Sequence, residues 1–170
     1  MTKQLLYEAM TDILTTDHLH AVTVRRLCQM ADLNRSTFYL HYETLDDFIT
    51  DYTDFYMKKI WSKTRIMRTV QDYEDALDII LQNAEPYHAL LKNGLYHQYI
   101  LKEYAGIDTN GYQKDAFMLL SSYCVAGVEQ MFLYLLEHPE LSSSKKEIAE
   151  SLYHMNMAGE KEIRNLSGKR

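Results

Sequence analysis

The chain has 170 residues and a formal net charge of −6, so it is not a protein that attracts nucleic acid through a strongly basic overall field. Its 46% hydrophobic residues suffice for a core, whereas 2 prolines and 6 glycines are too few for a turn-rich β-sandwich or barrel. Cys28 and Cys124 lie far apart in the sequence, which argues against a disulfide framework. There is no signal-peptide pattern or bilayer-length apolar run, and we expect a cytoplasmic protein.

Apolar residues recur at helical spacing along nearly the whole chain, which predicts an all-α protein. The first helix is predicted over 2–16, and the second runs from a cap at Thr23 to Met30. A tight turn over 31–34 leads to a third helix over 35–42. Thr44 and Asp47 form a capping-box pattern ahead of a fourth helix that extends to Met67.

Five further helices are predicted over 73–84, 86–93, 95–105, 112–137 and 144–165. Pro86 suits a first helical turn and Gly94 suits a position just after a helix end. Ser144 and Glu147 match a capping box for the last helix. The helix over 112–137 is apolar around most of its circumference, which predicts burial on several sides.

Two short helices joined by a turn of about four residues, within 23–42, match the plan of a helix-turn-helix. The second helix of such a motif lies in the DNA major groove, where Arg35 and Asn34 would reach base edges. Hydroxyls suited to phosphate oxygens and two arginines on the preceding helix complete the pattern: Thr23, Thr37, Tyr39, Arg25 and Arg26. The spacing alone is not specific, because many small helical bundles contain such pairs.

The stretch "TVRRLCQMADLNRSTFYLHYETLDDFI" resembles the DNA-binding domain of the tetracycline-repressor (TetR) family, and the resemblance covers about 5–50. It implies a homodimer with an N-terminal helix-turn-helix DNA-binding domain over 1–45 and a helical ligand-sensing and dimerisation domain over 46–170. By this resemblance Ser36 and His41 also face DNA. The predicted DNA-binding residues are therefore Thr23, Arg25, Arg26, Asn34, Arg35, Ser36, Thr37, Tyr39 and His41.

Two departures from the family pattern affect the expected DNA contacts. Asp32 replaces the turn glycine, and aspartate tolerates a left-handed backbone better than most residues. Leu45 replaces a lysine that commonly opens the fourth helix, which removes one expected phosphate contact. We expect Phe38 in the core and Tyr39 on the DNA side, whereas His41 is open between a packing and a base-reading role.

The helices over 112–137 and 144–165 are predicted to form the dimer interface as a four-helix bundle with a second copy. Aromatic and methionine side chains nearby suit a mostly apolar effector pocket, although each could equally be ordinary core. The segment 117–153 resembles that of a subgroup that regulates dihydroxyacetone-kinase genes. The predicted ligand-binding residues are Trp61, Tyr87, Tyr96, Tyr99, Phe117, Tyr123 and Met131.

Neither metal-ligand spacing nor an enzyme motif emerges from the sequence. His18 and His20 lack further ligands at suitable spacing, and there is no phosphate loop or nucleophile signature. We therefore expect no cofactor and no enzyme activity. The favoured hypothesis is a homodimeric, sequence-specific transcription regulator, a repressor of a palindromic operator, controlled by a small-molecule effector or protein co-regulator. The alternative is a helical protein-interaction module that has lost competent DNA binding.

Overall fold

A computed structural model describes residues 1–61, 69–105 and 114–167, and within these ranges every regular element is helical. Two 3-10 turns, Leu19–Ala21 and Pro139–Ser144, accompany the α-helices. The described helices are α1 Thr2–Thr16, α2 Val24–Met30, α3 Arg35–Tyr39, α4 Leu45–Trp61, α5 Val70–Gln82, α6 Ala84–Lys92, α7 Leu95–Ala105, α8 Lys114–Glu137 and α9 Lys145–Ser167. The all-α prediction is confirmed.

Several helix starts and ends differ from the sequence prediction. The third helix ends at Tyr39 instead of residue 42. A capping box between Thr69 and Asp72 starts α5 at Val70, three residues before the predicted start at residue 73. The chain enters α9 from the 3-10 turn that ends at Ser144, instead of from the predicted capping box. The predicted fourth helix is described as far as Trp61, and its remainder to Met67 lies outside the described residues.

The first three helices pack into a compact head around fully buried side chains that include Leu6, Ile13, Leu27 and Phe38. Asp32, in the turn between α2 and α3, has a φ of 52°. The TetR pattern has a glycine at this position, and Asp32 adopts the left-handed backbone that the turn requires. Thr44 and Asp47 exchange hydrogen bonds of 2.9 and 3.1 Å, which confirms the predicted capping box of α4.

Helix α4 connects the head to the remaining helices, and α1 also packs directly against α6. The aromatic rings of Phe48, Tyr52 and Tyr56 continue the core of the head along α4 to Tyr87 on α6. Gly94 follows α6 with a φ of 70°, as its predicted position requires. The head is therefore held at two places, by the covalent link through α4 and by its contact with α6.

In the remaining helices α5 packs on α9, and α8 packs on α6, α7 and α9. The prediction that the helix over 112–137 is buried on several sides is confirmed for the sides that face α6, α7 and α9, but one side is exposed in the single chain. Leu119 and Tyr123 on α8 are 73% and 80% exposed, because they point away from α6, α7 and α9. Gly159 of α9 lies against Cys124, where an added Cβ would sit 3.3 Å from Sγ.

Cys28 and Cys124 are not joined in a disulfide. None of the helices in the described ranges combines the length and apolar character that crossing a membrane requires.

Candidate nucleic-acid interface

Helix α3 presents one buried and one exposed side. Phe38 is fully buried, and Tyr39 beside it is exposed, as the sequence predicted. With about 100° between successive residues of a helix, Ser36 and Leu40 lie nearly opposite Phe38. We call the exposed side of α3 its outer face; it consists of Arg35, Ser36, Tyr39 and Leu40.

Several polar side chains on and beside the outer face have no hydrogen-bond or ion-pair partner among the described residues. Asn34 occupies the cap position of α3, and its side chain makes no capping hydrogen bond. Arg35 is exposed and has no carboxylate within ion-pair distance among the described residues. Ser36 and His41 are also exposed, whereas Thr37 is half-buried at the side of the helix. These side chains are accessible to a large partner such as a duplex.

The two arginines of α2 differ in their surroundings. Arg26 Nη1 lies 2.8 Å from Asp17 Oδ2, and this contact lowers the pKa of the Asp17 carboxyl. Arg25 is exposed and makes no ion pair with any described residue. Thr23 Oγ1 accepts the Arg26 backbone N–H at 3.1 Å, so its hydroxyl proton remains available to donate to a phosphate oxygen.

Local charge makes this surface less acidic than the chain as a whole. Residues 23–42 contain three arginines and one aspartate, a net charge of +2. Asp47 is occupied by the capping box of α4, and Asp46 lies in the first turn of that helix, where its charge complements the helix dipole. Leu45 is half-buried against the core instead of reaching outwards. The position that holds a lysine in the TetR pattern thus contributes packing here.

The sequence reasoning missed a carboxylate that fixes α3 to its neighbours. Asp51 Oδ2 accepts hydrogen bonds from Lys3 Nζ at 2.8 Å, the Tyr7 hydroxyl at 2.7 Å and the Tyr42 hydroxyl at 2.6 Å. Burial raises the pKa of Asp51, but the three donors outweigh it and hold the pKa at about 2. Periodicity could not reveal this group, because Asp51 reads as one of several acids on a solvated face of α4.

A second missed residue is Asn93, at the end of α6. Its Oδ1 accepts the Leu19 N–H at 3.0 Å, and its Nδ2 donates to the carbonyls of Leu14 at 3.2 Å and Ala89 at 2.9 Å. One amide thus joins α6 to the end of α1 and to the turn that follows it. The sequence signal, an asparagine before glycine, indicates a helix end and says nothing about these distant partners.

The described members of the predicted ligand-binding set lie at different places in the fold. Tyr87 is fully buried, and its hydroxyl donates to the Tyr56 carbonyl at 2.6 Å, so it is already satisfied. Tyr96 is buried with its ring 6.1 Å from that of Phe132. Tyr123 is on the outside of α8. The side chains of Trp61 and Phe117 lie outside the described part of the chain.

Two open depressions border other members of the set. A groove of about 450 Å³ at the end of α8 and the start of α9 is lined by Met131, Tyr134 and Ile148, among others. A cleft of about 140 Å³ between α4 and α7 is lined by Tyr99 and Lys102, among others. The groove is open and the cleft is small, so neither is the enclosed cavity of several hundred Å³ that is typical of small-molecule sites.

A buried polar pair lies between α7 and α8. Glu129 Oε2 is 2.8 Å from His97 Nδ1, whereas Glu129 Oε1 has no hydrogen-bond partner within the described ranges. Burial raises the pKa of the Glu129 carboxyl, and the neighbouring His97 only partly offsets this rise. Neither depression reaches Glu129, so the geometry does not assign it a ligand. Among the described residues, no three His, Cys, Asp or Glu side chains are grouped so that they could bind a metal ion.

The overall architecture has counterparts among solved structures. A candidate TetR-family transcription regulator from Shewanella sp. PV-4 superposes with a TM-score of 0.58 at 14% identity, covering 90% of this chain and 96% of that one. The dihydroxyacetone kinase operon activator DhaS superposes with a TM-score of 0.53 at 12% identity, covering 91% of this chain and 97% of that one. The chain has a TetR-like fold.

In this TetR-like fold α1–α3 form the head that precedes the long connecting helix α4. No protein-family model matches the chain, and no curated protein matches it significantly. At 12–14% identity the two neighbours establish the fold alone. What the chain binds has to be argued from its own residues.

Proposed function

We propose that the chain is a sequence-specific DNA-binding transcription regulator that acts as a homodimer. One observation carries the proposal: Asn34, Arg35, Ser36 and Tyr39 are all exposed at the start of or along the second helix of a helix-turn-helix, whose Phe38 is buried. Arginine can bind guanine through two hydrogen bonds and asparagine can bind adenine in the same way. The similarity of the fold to two proteins named as transcription regulators supports this proposal.

Contacts to the DNA backbone are assigned to side chains around the outer face. The Tyr39, Thr37 and Thr23 hydroxyls donate to phosphate oxygens, and Arg25 supplies a positive charge from α2. Arg26 is already paired with Asp17, so we assign it a supporting role. His41 is exposed at the end of α3 and completes the surface. A modest number of cations in each copy predicts a shallow dependence of affinity on salt.

We place the dimer interface on α8 and α9. Leu119, Tyr123 and Tyr134 form an exposed stripe along one side of α8, and Met155 of α9 is exposed as well. Gly127 lies within the stripe and faces open space, which allows close approach of a second helix. Burying this stripe against a second copy would complete a four-helix bundle and bring two heads to a palindromic site.

Control by an effector or co-regulator would act through the contacts that hold the head. Because Asn93 joins α6 to the end of α1, displacement of α6 would change the position of the head. A ligand shifts the two heads only if it binds one arrangement better than the other. We propose that the protein represses transcription from a palindromic operator. We also propose that the boundary between the DNA-binding domain and the regulatory domain lies between residues 45 and 46.

Selection from randomised duplex DNA tests the proposal. Enrichment of a palindromic site supports it, and placing that site upstream of a reporter gene distinguishes repression from activation. Absence of enrichment even at low salt would favour the alternative, an interaction module without competent DNA binding. That alternative is motivated by Leu45, which packs inwards where a phosphate-binding lysine stands in the TetR pattern.

A further inference from the structure

Leu40, at the end of α3, is the most exposed apolar residue of the helix-turn-helix. It is 82% exposed, and its backbone continues the helical conformation with φ −72° and ψ −20°. A leucine in water leaves apolar surface unburied, and burial of that surface is favourable. The sequence pattern did not assign Leu40 a role.

The position of Leu40 on the helix places it on the side opposite the buried Phe38. Successive helical residues are separated by about 100°, so Ser36 and Leu40 each lie about 160° from Phe38, on its two sides. Phe38 points into the core of the head. Leu40 and Ser36 are therefore the two residues of α3 that point most directly outwards.

The shortness of α3 brings Leu40 within reach of base edges. Five helical residues rise by about 7.5 Å, which is less than the width of the major groove at about 12 Å. Residues at both ends of α3 can therefore face bases, and contact is not confined to Asn34 and Arg35 at its start. Of the four outer-face residues, Arg35 alone is charged, so the middle of the face must discriminate through uncharged contacts.

We propose that Leu40 is a specificity-determining residue that recognises the C5-methyl group of thymine in the major groove. This inference rests on the proposed DNA-binding function. An apolar side chain cannot pair with base donors or acceptors, and the thymine methyl is the apolar group that the major groove displays. Each half-site would therefore contain an A·T pair whose thymine lies against Leu40.

The test uses the full chain and a duplex recovered by selection, with thymines replaced one at a time by uracil. Uracil lacks the methyl and keeps the hydrogen-bonding groups, so it isolates the contact. Replacing the contacted thymine in both half-sites should weaken binding of the parent protein about fifteenfold, about fourfold for each half-site. For Leu40→Ala the same replacement should change the dissociation constant less than twofold.

Two control variants separate this contact from general effects. Met30→Ala removes an exposed apolar side chain of α2, outside the outer face, and should retain the full uracil effect. Leu40→Met keeps an apolar side chain and should retain most of it. Thermal melting of each variant verifies that its fold is unchanged.

Equal uracil effects in the parent and Leu40→Ala, or no uracil effect at any thymine, would overturn the role of Leu40 while leaving the proposed function intact. If no duplex is enriched, the proposed function fails, and the role of Leu40 fails with it.

Discussion

The Tyr42 hydroxyl donates a hydrogen bond of 2.6 Å to Asp51 and thereby joins the end of the α3 region to α4. The same carboxylate oxygen accepts from Tyr7 and Lys3 of α1. Burial, and next the contact with Asp51, raise the pKa of the Tyr42 hydroxyl, which therefore stays a neutral donor. Helix α1, the segment that follows α3, and α4 therefore meet at one carboxylate, which helps to fix the orientation of α3.

Removing this carboxylate should destabilise the chain. Asp51→Ala leaves two partly buried tyrosine hydroxyls without their acceptor, and we expect the free energy of unfolding to fall by about 1–2 kcal/mol. Asp54→Ala is the matched control on the same helix, because Asp54 forms an ion pair with exposed Lys58 one turn away. Its cost should be a few tenths of a kcal/mol. Urea denaturation at pH 7 measures the loss of unfolding free energy in the two variants. Equal losses would show that the Asp51 contacts stabilise the chain no more than an exposed ion pair does.

The Asp51 contacts also predict a dependence of stability on pH. The pKa of Asp51 is about 2 in the folded chain against 3.8 for a free aspartate, so its contribution is complete above the higher value. This contribution to stability is lost as the pH falls through the pKa of Asp51 in the folded chain. The difference in unfolding free energy between the parent and Asp51→Ala should be constant above about pH 5 and shrink between pH 4 and 2. A difference that stays constant down to pH 2 would contradict the low pKa.

Asn93 provides a test of how the head is held. Asn93→Ala removes the acceptor of the Leu19 N–H and the donor to the Leu14 carbonyl, which should cost about 1–2 kcal/mol. Hydrogen exchange at the Leu19 amide should accelerate. Lys92→Ala, an exposed neighbour in the same turn, should change stability by less than about 0.5 kcal/mol. Unchanged protection of the Leu19 N–H in Asn93→Ala would mean that the Asn93 side chain does not hold the head against α6.

The proposed dimer interface makes its own prediction. Tyr123→Arg places a charge in the middle of the exposed stripe of α8 and should convert the dimer to a monomer, as sedimentation velocity would show. Leu40→Lys alters an equally exposed apolar residue outside α8 and should leave the dimer intact. If Tyr123→Arg remains dimeric, the interface lies elsewhere on the chain.

The two types of predicted DNA contact should respond differently to mutation. Arg35→Ala should relax the preference at one base position and weaken binding to the selected site by about 1–3 kcal/mol. Tyr39→Phe removes only a hydroxyl and should weaken binding to all sequences alike. Binding curves against the selected duplex and single-base variants distinguish these outcomes. Loss of base preference in Tyr39→Phe would show that the faces of α3 are assigned wrongly.

Helical periodicity was enough to predict the class of the fold, because a buried stripe imposes a repeat that the sequence displays directly. The inward Phe38 and outward Tyr39 follow from the same repeat. Leu119 and Tyr123 show where this reasoning fails, since apolar character alone does not distinguish a side chain buried in its own chain from one left for a partner.

Contacts between residues distant in sequence could not be predicted from local pattern. The bonds of Asp51 to Lys3 and of Asn93 to Leu14 join residues that are 48 and 79 positions apart. Composition likewise does not distinguish a ligand pocket from ordinary core. Tyr87 and Tyr96 share a composition typical of ligand sites, but the folded chain uses them as core, with the Tyr87 hydroxyl satisfied by a backbone carbonyl.

Sequence-specific DNA binding through the helix-turn-helix is tested by selection from randomised duplex DNA. The selection is carried out in parallel on the parent chain and on the variant Arg25→Ala/Arg35→Ala/Tyr39→Ala. All three side chains are exposed, so the variant should fold normally. We expect the parent to enrich a palindromic site bound by two chains and the variant to enrich nothing. Failure of the parent to enrich any sequence at low salt, or equal enrichment by the variant, would contradict it.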